Sequence, residues 1–465
     1  MSYSSTQHPT RPRFLIAAAS SDSGKTTVTM GLIRALSNRG LRVQPFKCGP
    51  DYIDPILHKM ASGRASVNLD TYLASPQHVR ELTYKYSADA DISIIEGVMG
   101  LFDGYDKDKG SSAEIARLLN IPVILVVNAK SVAYSVAPLI YGFKHFDPSV
   151  HIAGVIFNRV ASDHHFQLLR NACEDAGVAC LGYMPRHNNL VIPGRHLGLT
   201  IQSKEEIENL LQLASELATE HIDLDRLIST ASNDLQNDSA PRADKNDSTP
   251  QADKNDSAPQ ADKTDKTPAL IRMWTEWTPP ARIRILVAKD EAFNFAYQAN
   301  IDALQQYGEV SFFSPMNDTE LPPCDLIYLP GGYPELYIEA LEANTTMRRL
   351  IHDYAHHGGH IMAECGGMMY LCQDIDGHNM CGVLPLQATM EGAHLHLGYR
   401  QMNWEGKDMR GHEFHYSSVV ELNDDKRMNI LRLQSSATGR PVNTPIYRFL
   451  NVIAGYTHWY WADEY

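Results

Sequence analysis

The sequence predicts two α/β domains with parallel sheets, joined by a disordered linker. Short apolar runs of strand length alternate with amphipathic runs of helix length in both halves of the chain. Each half has a glycine-rich loop between a strand and a helix, and a polar repeat separates the halves. With 465 residues, the chain is too long for one ordinary hydrophobic core.

The composition, with 43% hydrophobic and 21% charged residues, is typical of water-soluble globular proteins. No apolar run approaches the ~18 residues of a membrane span, and Phe14–Ala19 is too short for the core of a signal peptide. The seven cysteines are an odd number without a CxxC pair, which favours a reducing cytoplasm. The net charge of −14 argues against a nucleic-acid partner. We therefore expect a cytoplasmic protein that binds neither membranes nor nucleic acid.

The polar segment divides the chain into residues 11–228, 229–278 and 279–465. Inside it, a nine-residue repeat begins at Pro241, Pro250 and Pro259. A segment of this composition buries too little surface to offset its ordering entropy, so we predict disorder. The repeat is either a flexible tether or a neutral insertion.

In the first domain, the alternation of strands and crossover helices predicts a parallel sheet covered on both faces. Ligands bind at the carboxyl ends of the strands in such a sheet. The predicted strands are Phe14–Ala19, Ile92–Ile95, Val123–Asn128 and Ile152–Asn158. The predicted helices between them include Thr26–Arg39 and Ser112–Leu119.

A phosphate-binding loop follows the first predicted strand, at Ala17–Thr27 (AAASSDSGKTT). Lys25 would reach the outer phosphates of ATP, and the Thr26 hydroxyl would coordinate Mg²⁺. The full motif has a glycine where this chain has Ala19. The alternative is a helix start with a chance Gly-Lys-Thr, but the flanking strand and helix favour the nucleotide site. The predicted nucleotide-binding residues are Gly24, Lys25, Thr26 and Thr27.

A second segment, Ile94–Gly104 (IIEGVMGLFDG), ends a strand at Glu96 and carries Asp103 in a glycine-rich loop. A carboxylate at a strand end beside a phosphate loop is well placed to hold magnesium, directly or through water. We therefore predict Thr26 and Glu96 as metal contacts, with a solvated strand end as the alternative for Glu96.

A third segment, Phe46–Pro55 (FKCGPDYIDP), brings Lys47, Asp51 and Asp54 into one turn-rich loop. These charges favour a site that acts with the phosphate loop. The alternative is structural, because aspartates in such loops often form turns or cap helices.

The second domain contains a predicted nucleophile elbow at His360–Leu371 (HIMAECGGMMYL). Gly366 and Gly367 permit a sharp turn that lifts Cys365 to the sheet edge. The following helix N-terminus should lower the pKa of the Cys365 thiol and favour the thiolate.

The elbow requires an oxyanion hole and a base. Glycine backbones can approach a substrate closely, which makes Gly331, Gly332 and Gly366 the candidates for the oxyanion hole. We choose His458 in IAGYTHWYW as the base. The alternative for His458 is a buried, hydrogen-bonded histidine among aromatic residues. The other six cysteines are expected to be packing residues.

Four further histidines, His394, His396, His412 and His415, raise the alternative of a metal site in this domain. Their HLH and HEFH spacings lack the i, i+4 pattern of helical zinc sites, so we expect no metal there.

Together, several motifs resemble the cobyrinate a,c-diamide synthase family of cobalamin biosynthesis. They are AAASSDSGKTTVTMGL, FKCGPDYIDP, NLDTYL, IIEGVMGLFDG, YLPGGYPEL, AECGGMMYL and GHEFHYS. The resemblance covers nearly the whole chain except the first ten residues and the polar repeat. It implies a dethiobiotin-synthetase-like domain followed by a class I glutamine amidotransferase domain.

The resemblance also implies an activity. The first domain would use ATP and Mg²⁺ to phosphorylate carboxylates c and a of cobyrinate, and ammonia from glutamine would displace the phosphate. Cys365 would form the glutamyl thioester and His458 would raise its nucleophilicity. The residues expected to serve substrate activation are Asp51, Asp54 and Asp103. The expected partners are the macrocycle, L-glutamine and ATP, with a homodimer as one possible assembly.

Two departures and two alternatives remain. Many class I glutaminases have a glutamate two residues after the histidine, where this chain has Tyr460, so the acid of the triad is not assigned. The polar repeat is not part of the family pattern. The macrocycle is alternatively hydrogenobyrinate or nickel sirohydrochlorin. A hypothesis from another functional class is a regulatory phosphate-loop ATPase with a degenerate amidotransferase module.

Overall fold

The computed structural model describes residues 11–190, 204–233, 269–274, 276–280, 282–404, 407–422 and 425–463. The repeat beginning at Pro241, Pro250 and Pro259 lies outside the described residues. In the described part, no helix is long and apolar enough to cross a membrane.

The first half forms a seven-stranded parallel sheet in the order β3-β2-β4-β1-β5-β6-β7. The central strands are buried on both faces, because helices cover each side of the sheet. The strands β1–β7 are Arg13–Ala18, Val43–Cys48, Val67–Leu69, Ile92–Glu96, Val123–Asn128, Ile152–Val160 and Ala179–Pro185. The helices α1–α8 are Lys25–Asn38, Ile53–Ser62, Pro76–Ser87, Ser112–Leu119, Val136–Phe146, Asp163–Ala176, Lys204–His221 and Leu224–Asn233.

The four predicted strands and two predicted helices of this half are all present, with ends that agree within two residues. The register of the sheet then sets the ligand edge. Glu96 on β4 pairs with Ile16 on β1 and with Lys47 on β2. The phosphate loop after β1 therefore lies at the same edge as Glu96 and Lys47.

The second half is built on a seven-stranded mixed sheet in the order β18-β20-β21-β11-β10-β8-β9. Two four-stranded sheets extend it, β13-β12-β14-β17 and β19-β15-β16-β22. The strands β8–β22 are Arg284–Ala288, Glu309–Phe313, Leu326–Leu329, His360–Glu364, Asp374–Ile375, His378–Asn379, Leu386–Thr389, His396–Trp404, Lys407–His415, Ser418–Glu421, Met428–Leu431, Ser435–Ser436, Ile446–Phe449, Val452–Gly455 and Thr457–Tyr460. The helices α9–α13 are Ala269–Arg272, Gln298–Tyr307, Ile338–Ala343, Thr345–His356 and Gly366–Leu371, with a 3-10 turn at Pro334–Leu336.

The predicted linker, 229–278, is too wide at both ends. Helix α8 continues to Asn233, and α9 begins at Ala269. Leu270 and Trp274 pack in the core of the second half, because a short apolar run can bury its side chains even beside a polar repeat.

The two halves share one apolar core. Phe295, Tyr297 and Tyr460 of the second half belong to the same buried cluster as Leu15 and Phe46 of the first. Polar contacts reinforce this interface.

Three of these contacts surround the NLDTYL segment. The Tyr399 hydroxyl donates to Asp70 at 2.7 Å, and Arg410 donates to the Tyr72 carbonyl at 2.8 Å. The Ser75 N–H donates to Asp463. The motif therefore serves the contact between the two halves.

Candidate active site

The phosphate loop has the backbone that the motif requires. Gly24 adopts φ +87°, and a Cβ there would lie 1.8 Å from the side-chain nitrogen of Asn158. Only glycine fits this position without displacing Asn158. The Lys25 ammonium folds back and donates to the carbonyls of Met99 and Ser20. It therefore lies over the loop where the motif places the phosphates. Thr27 is buried in the first turn of α1, and its nucleotide contact stays a prediction.

A buried cluster of charged side chains lies beside the loop. The Lys47 ammonium pairs with Asp54 and donates to Glu96 at 3.0 Å. Glu96 also accepts from the Thr26 hydroxyl at 2.7 Å, and its second oxygen lies 2.7 Å from Nε2 of His58. The structure thus brings together Thr26, Asp54 and Glu96, which the sequence placed in three separate segments.

Electrostatics keep Glu96 ionised. Burial alone would raise the pKa of Glu96, but the Lys47 ammonium and the His58 hydrogen bond outweigh burial and hold that pKa well below its ordinary value. Replacing one member of such a cluster leaves an uncompensated buried charge.

The oxygen atoms of this cluster suit magnesium. Mg²⁺ prefers hard oxygen ligands, usually one or two carboxylates with substrate phosphates. The Thr26 hydroxyl lies 2.7 Å from Glu96 and 3.4 Å from Asp54, so one hydroxyl and two carboxylates converge. The residues present therefore fit the metal that the phosphate loop implies.

Asp51 and Asp103 have structural partners. Asp51 accepts from the N–H groups of Ile53 and Asp54 at the start of α2, which is the capping role considered as the alternative. It also lies 3.8 Å from the Lys47 ammonium. Asp103 accepts from the Gly100 N–H at 2.9 Å and so closes the loop beside the phosphate loop. A direct part in substrate activation stays a prediction for both.

Cys365 has the strained backbone of an elbow, with φ +48° and ψ −110°. The turn is crowded, because a Cβ on Gly366 would lie 2.8 Å from the Gly332 carbonyl oxygen, and one on Gly367 would lie 2.2 Å from that of Leu329. Strain of this kind concentrates at functional positions.

The three predicted oxyanion-hole glycines lie together at the elbow. A Cβ on Gly366 would lie 3.0 Å from the Gly332 amide nitrogen, and one on Gly331 would lie 2.1 Å from Cε1 of His458. Gly332 thus lies next to the elbow and Gly331 next to the histidine. Both belong to the Gly-Gly loop that the sequence analysis selected.

The predicted lowering of the Cys365 pKa is wrong for this structure. Burial raises the pKa of the thiol, and the negative charge of Glu335 acts in the same direction. The Gly366 N–H opposes this shift, as a helix start should, but one amide does not offset full burial. The thiol instead donates toward the Phe414 carbonyl oxygen at 3.7 Å.

His458 is 1% exposed, and burial lowers its pKa to about 3. Within the described residues, neither ring nitrogen makes a hydrogen bond of ordinary geometry. The Phe295 backbone lies close enough to oppose part of the lowering of the His458 pKa. His458 lies beside Gly331, and its role as the base stays a prediction. Burial against the aromatic ring of Tyr52 is what the structural alternative predicts too.

No acid of the described residues hydrogen-bonds to His458. Glu364, just before the nucleophile, instead accepts from the Trp459 N–H at 3.0 Å and from the Tyr328 hydroxyl at 2.7 Å. Burial raises the pKa of Glu364 to about 8. Glu364 therefore holds the strand of His458 through its neighbour. Tyr460, at the position of the usual glutamate, lies 3.0 Å from Nε2 of His78 in the first half.

Three side chains could be read as a metal site, because nitrogen or oxygen atoms of His396, Glu413 and His415 all lie within 4.8 Å of one another. Two observations argue against a metal. The rings of His396 and His415 stack in near-parallel planes, 9° apart, so their in-plane lone pairs do not converge on one point. Glu413 already pairs with Arg400 and accepts from Thr444. The group is better described as a hydrogen-bonded network.

Sequence reasoning missed His58, Asn158, Glu335 and Glu364. His58 lies on α2 and Asn158 at the end of β6, and neither belongs to a motif that names a role. The sequence gives no signal for His58, whereas Asn158 ends a predicted strand, where ligand-binding residues of a parallel sheet lie. Glu335 and Glu364 flank the predicted glycines and cysteine in sequence, which was a stronger signal.

Comparison with known proteins agrees with this geometry. Residues 14–199 match the CobQ/CobB/MinD/ParA nucleotide binding domain, and residues 284–465 match the CobB/CobQ-like glutamine amidotransferase domain. The chain is 39% identical to the cobyrinate a,c-diamide synthase of Dehalococcoides mccartyi, over 96% of this chain and 94% of that one.

Two further relatives differ in the macrocycle that their names give. The cobyrinate a,c-diamide synthase of Salmonella typhimurium is 40% identical over 88% of this chain and 86% of its own. The hydrogenobyrinate a,c-diamide synthase of Brucella abortus is 38% identical over 96% of this chain and 97% of its own. The chain belongs to the cobyrinate a,c-diamide synthase family.

Proposed function

We propose that this protein amidates the a and c carboxylates of cobyrinate, using ATP and glutamine, in cobalamin biosynthesis. One observation carries the proposal: a phosphate loop with its carboxylate cluster and a cysteine elbow with its histidine lie in two halves that share one core. The names of relatives that match nearly the whole chain agree with it.

The first half would activate the substrate. A carboxylate is a poor electrophile until one of its oxygens becomes part of a phosphate leaving group. The substrate carboxylate oxygen would attack the γ-phosphorus of ATP, and ADP would leave. Lys25 would hold the phosphates, and Thr26, Asp54 and Glu96 would hold the metal. Bound magnesium would neutralise phosphate charge.

The second half would make ammonia where it is used. The Cys365 sulfur would attack the side-chain amide of glutamine, and the thiol proton would pass through His458 to the leaving ammonia. Backbone N–H groups of Gly331, Gly332 and Gly366 would stabilise the oxyanion, and water would then release glutamate. Ammonia would attack the phosphorylated carboxylate, and phosphate would leave as the amide forms.

Compartment and assembly belong to the same proposal. The seven cysteines are free in the structure, which supports a role in the reducing cytoplasm. A homodimer is tested by light scattering of the purified protein.

The identity of the macrocycle is open to direct test. Relatives named for cobyrinate and for hydrogenobyrinate match this chain about equally well, at 39% and 38% identity. The purified protein is incubated with ATP, Mg²⁺ and glutamine against cobyrinate, hydrogenobyrinate or nickel sirohydrochlorin. Mass spectrometry should find two successive carboxylate-to-amide exchanges on cobyrinate. If only another macrocycle shows these exchanges, that macrocycle is the substrate and the assignment to cobyrinate is wrong.

The division of labour is tested by Cys365→Ala. This variant should lose glutamine-dependent amidation and keep amidation driven by high ammonium. If ammonium failed to rescue the variant but did support the wild type, the separation into an activating half and an ammonia-producing half would be wrong. ATP hydrolysis without a mass change on any macrocycle would favour the regulatory ATPase instead.

A further inference from the structure

Both halves of the chain pack closely on His458, the proposed base of the glutaminase. The ring of Tyr52, from the first half, packs on His458 with centroids 4.7 Å apart and planes inclined by 31°. At the Cε1 edge of the ring, Gly331 is so close that a Cβ there would lie 2.1 Å from Cε1 of His458. Tyr52 is 6% exposed and His458 is 1% exposed. In so close-packed a place, the imidazole cannot turn unless Tyr52 moves.

The present arrangement does not join the histidine to the nucleophile. Both ring nitrogens of His458 are buried without a hydrogen-bond partner among the described residues. The thiol of Cys365 points toward the Phe414 carbonyl oxygen instead. A base must lie within hydrogen-bond reach of the proton that it takes. The thiol, the imidazole or both must therefore move before the thiol proton can pass to His458, and the packing of Tyr52 limits the movement of the imidazole.

Tyr52 lies in the loop that borders the phosphate site. Its neighbour Asp51 caps α2 and lies 3.8 Å from the Lys47 ammonium. Asp54, two residues on, pairs with Lys47, which also donates to Glu96. A metal at this site would compete with Lys47 for these carboxylates, and phosphates would attract the lysine ammonium, so filling the site would redistribute the ion pairs that hold the loop. A shift of the loop would move Tyr52 with it.

The surroundings of Tyr52 allow such a movement. Its ring stacks on Phe295 with centroids 5.2 Å apart and contacts Tyr297 at 5.0 Å. Burial and the nearby Tyr297 hydroxyl both raise the pKa of Tyr52, although its hydroxyl makes no hydrogen bond of ordinary geometry in the part of the chain that the structure describes. Ring contacts therefore provide much of the packing of this side chain, and one ring contact can replace another at small cost in free energy.

We propose that Tyr52 is a positioning residue that restrains the His458 ring in the resting protein and releases it when the phosphate-binding half is filled. Glutamine hydrolysis then waits until the first half is ready to use ammonia. This inference rests on the proposed function, because it assumes that the second half hydrolyses glutamine. It adds the means by which the first half controls that hydrolysis.

The experiment compares Tyr52→Ala, which removes the ring, with Tyr52→Phe, which removes only the hydroxyl. Glutamate release from glutamine is measured without other substrates, and again with ATP, Mg²⁺ and cobyrinate. Ammonium-driven amidation is measured in parallel as a readout of the first half and of folding. Tyr52→Leu, which keeps apolar volume, replaces Tyr52→Ala if the alanine variant does not fold.

The wild type and Tyr52→Phe should release glutamate slowly alone and faster with ATP and cobyrinate. Tyr52→Ala should release it about two- to tenfold faster than Tyr52→Phe when glutamine is the only substrate, the range that one lost aromatic contact permits. In Tyr52→Ala, the ratio of glutamate release with ATP and cobyrinate to release with glutamine alone should fall towards one. Ammonium-driven amidation by this variant should remain. The stimulation ratio is the readout that a merely structural role would not move.

Two results would overturn the proposal: unstimulated hydrolysis in Tyr52→Ala equal to that in Tyr52→Phe, or loss of hydrolysis while ammonium-driven amidation remains. The comparison without cobyrinate needs no macrocycle. Failure of the wild type to amidate any macrocycle would therefore count against the proposed function and not against the restraint by Tyr52.

Discussion

Gly331→Ala should disable the glutaminase half while leaving the activating half intact. A Cβ at this position would lie 2.1 Å from Cε1, 2.9 Å from Nδ1 and 3.1 Å from Nε2 of His458. The closest of these contacts is about 1.3 Å short of the 3.4 Å at which ordinary contact begins. The imidazole is 1% exposed and packs on the Tyr52 ring, so it has little room to move away.

The expected loss follows from that displacement. Moving a catalytic group by about 1 Å costs on the order of 100-fold in rate, which corresponds to about 2.7 kcal/mol of transition-state stabilisation. We therefore expect glutamine-dependent amidation to fall by about two orders of magnitude. Ammonium-driven amidation should be unchanged, because the three atoms nearest to a Cβ at Gly331 all belong to His458 in the second half.

The assay measures initial rates of amidation with glutamine and with high ammonium, together with the thermal unfolding midpoint. Gly142→Ala is the matched control, because a Cβ at Gly142, within α5, would meet no atom within 4 Å. The reasoning is refuted if Gly331→Ala keeps glutamine-dependent activity within about threefold of the control, since about 1 Å of misplacement should cost far more. A parallel fall in ammonium-driven amidation would instead indicate general misfolding.

Two further predictions concern buried carboxylates. Glu96→Gln should abolish amidation with either nitrogen source. It should also destabilise the fold by about 3–5 kcal/mol, because Lys47 loses a buried partner. Wild-type rates of ammonium-driven amidation in this variant would contradict the metal and charge roles of Glu96. Glu364 has a folded-state pKa of about 8 against an ordinary 4.5, so the folded state binds its proton more tightly. Its contribution is fully present below pH 4.5 and is lost as the pH rises through 8, several kcal/mol in all. Chemical denaturation should show the stability advantage of the wild type over Glu364→Gln falling across that window, and a constant difference would show that the pKa is not raised.

The local parts of both sites were predictable from the sequence, because they depend on short stretches of chain. The strand, loop and helix around Lys25 follow from one continuous motif, and so does the turn at Cys365. The strained φ of +48° at Cys365 is the backbone conformation that an elbow requires. His58 was not predictable, because nothing near it in sequence indicates that it faces Glu96 across the sheet edge.

The roles of the aspartates were predicted only in part. Asp54 joins the charged cluster, whereas one carboxylate oxygen of Asp51 accepts a hydrogen bond at the start of α2. Both outcomes were open, since a loop sequence does not say which carboxylate turns inward. The direction of the Cys365 pKa was predicted wrongly, because the helix start is visible in sequence and the depth of burial is not.

The sequence by itself determined the two-domain α/β architecture, the phosphate loop, the cysteine elbow and the family. These features depend on residue types at fixed spacing along the chain, and short stretches of backbone are enough to form them. Only the tertiary structure decided how the sites meet: strand register sets Lys47 against Glu96, and domain contact sets Tyr52 against His458. Those pairs lie far apart in the chain, and burial, charge and contact between them exist only after the two halves have packed on one core.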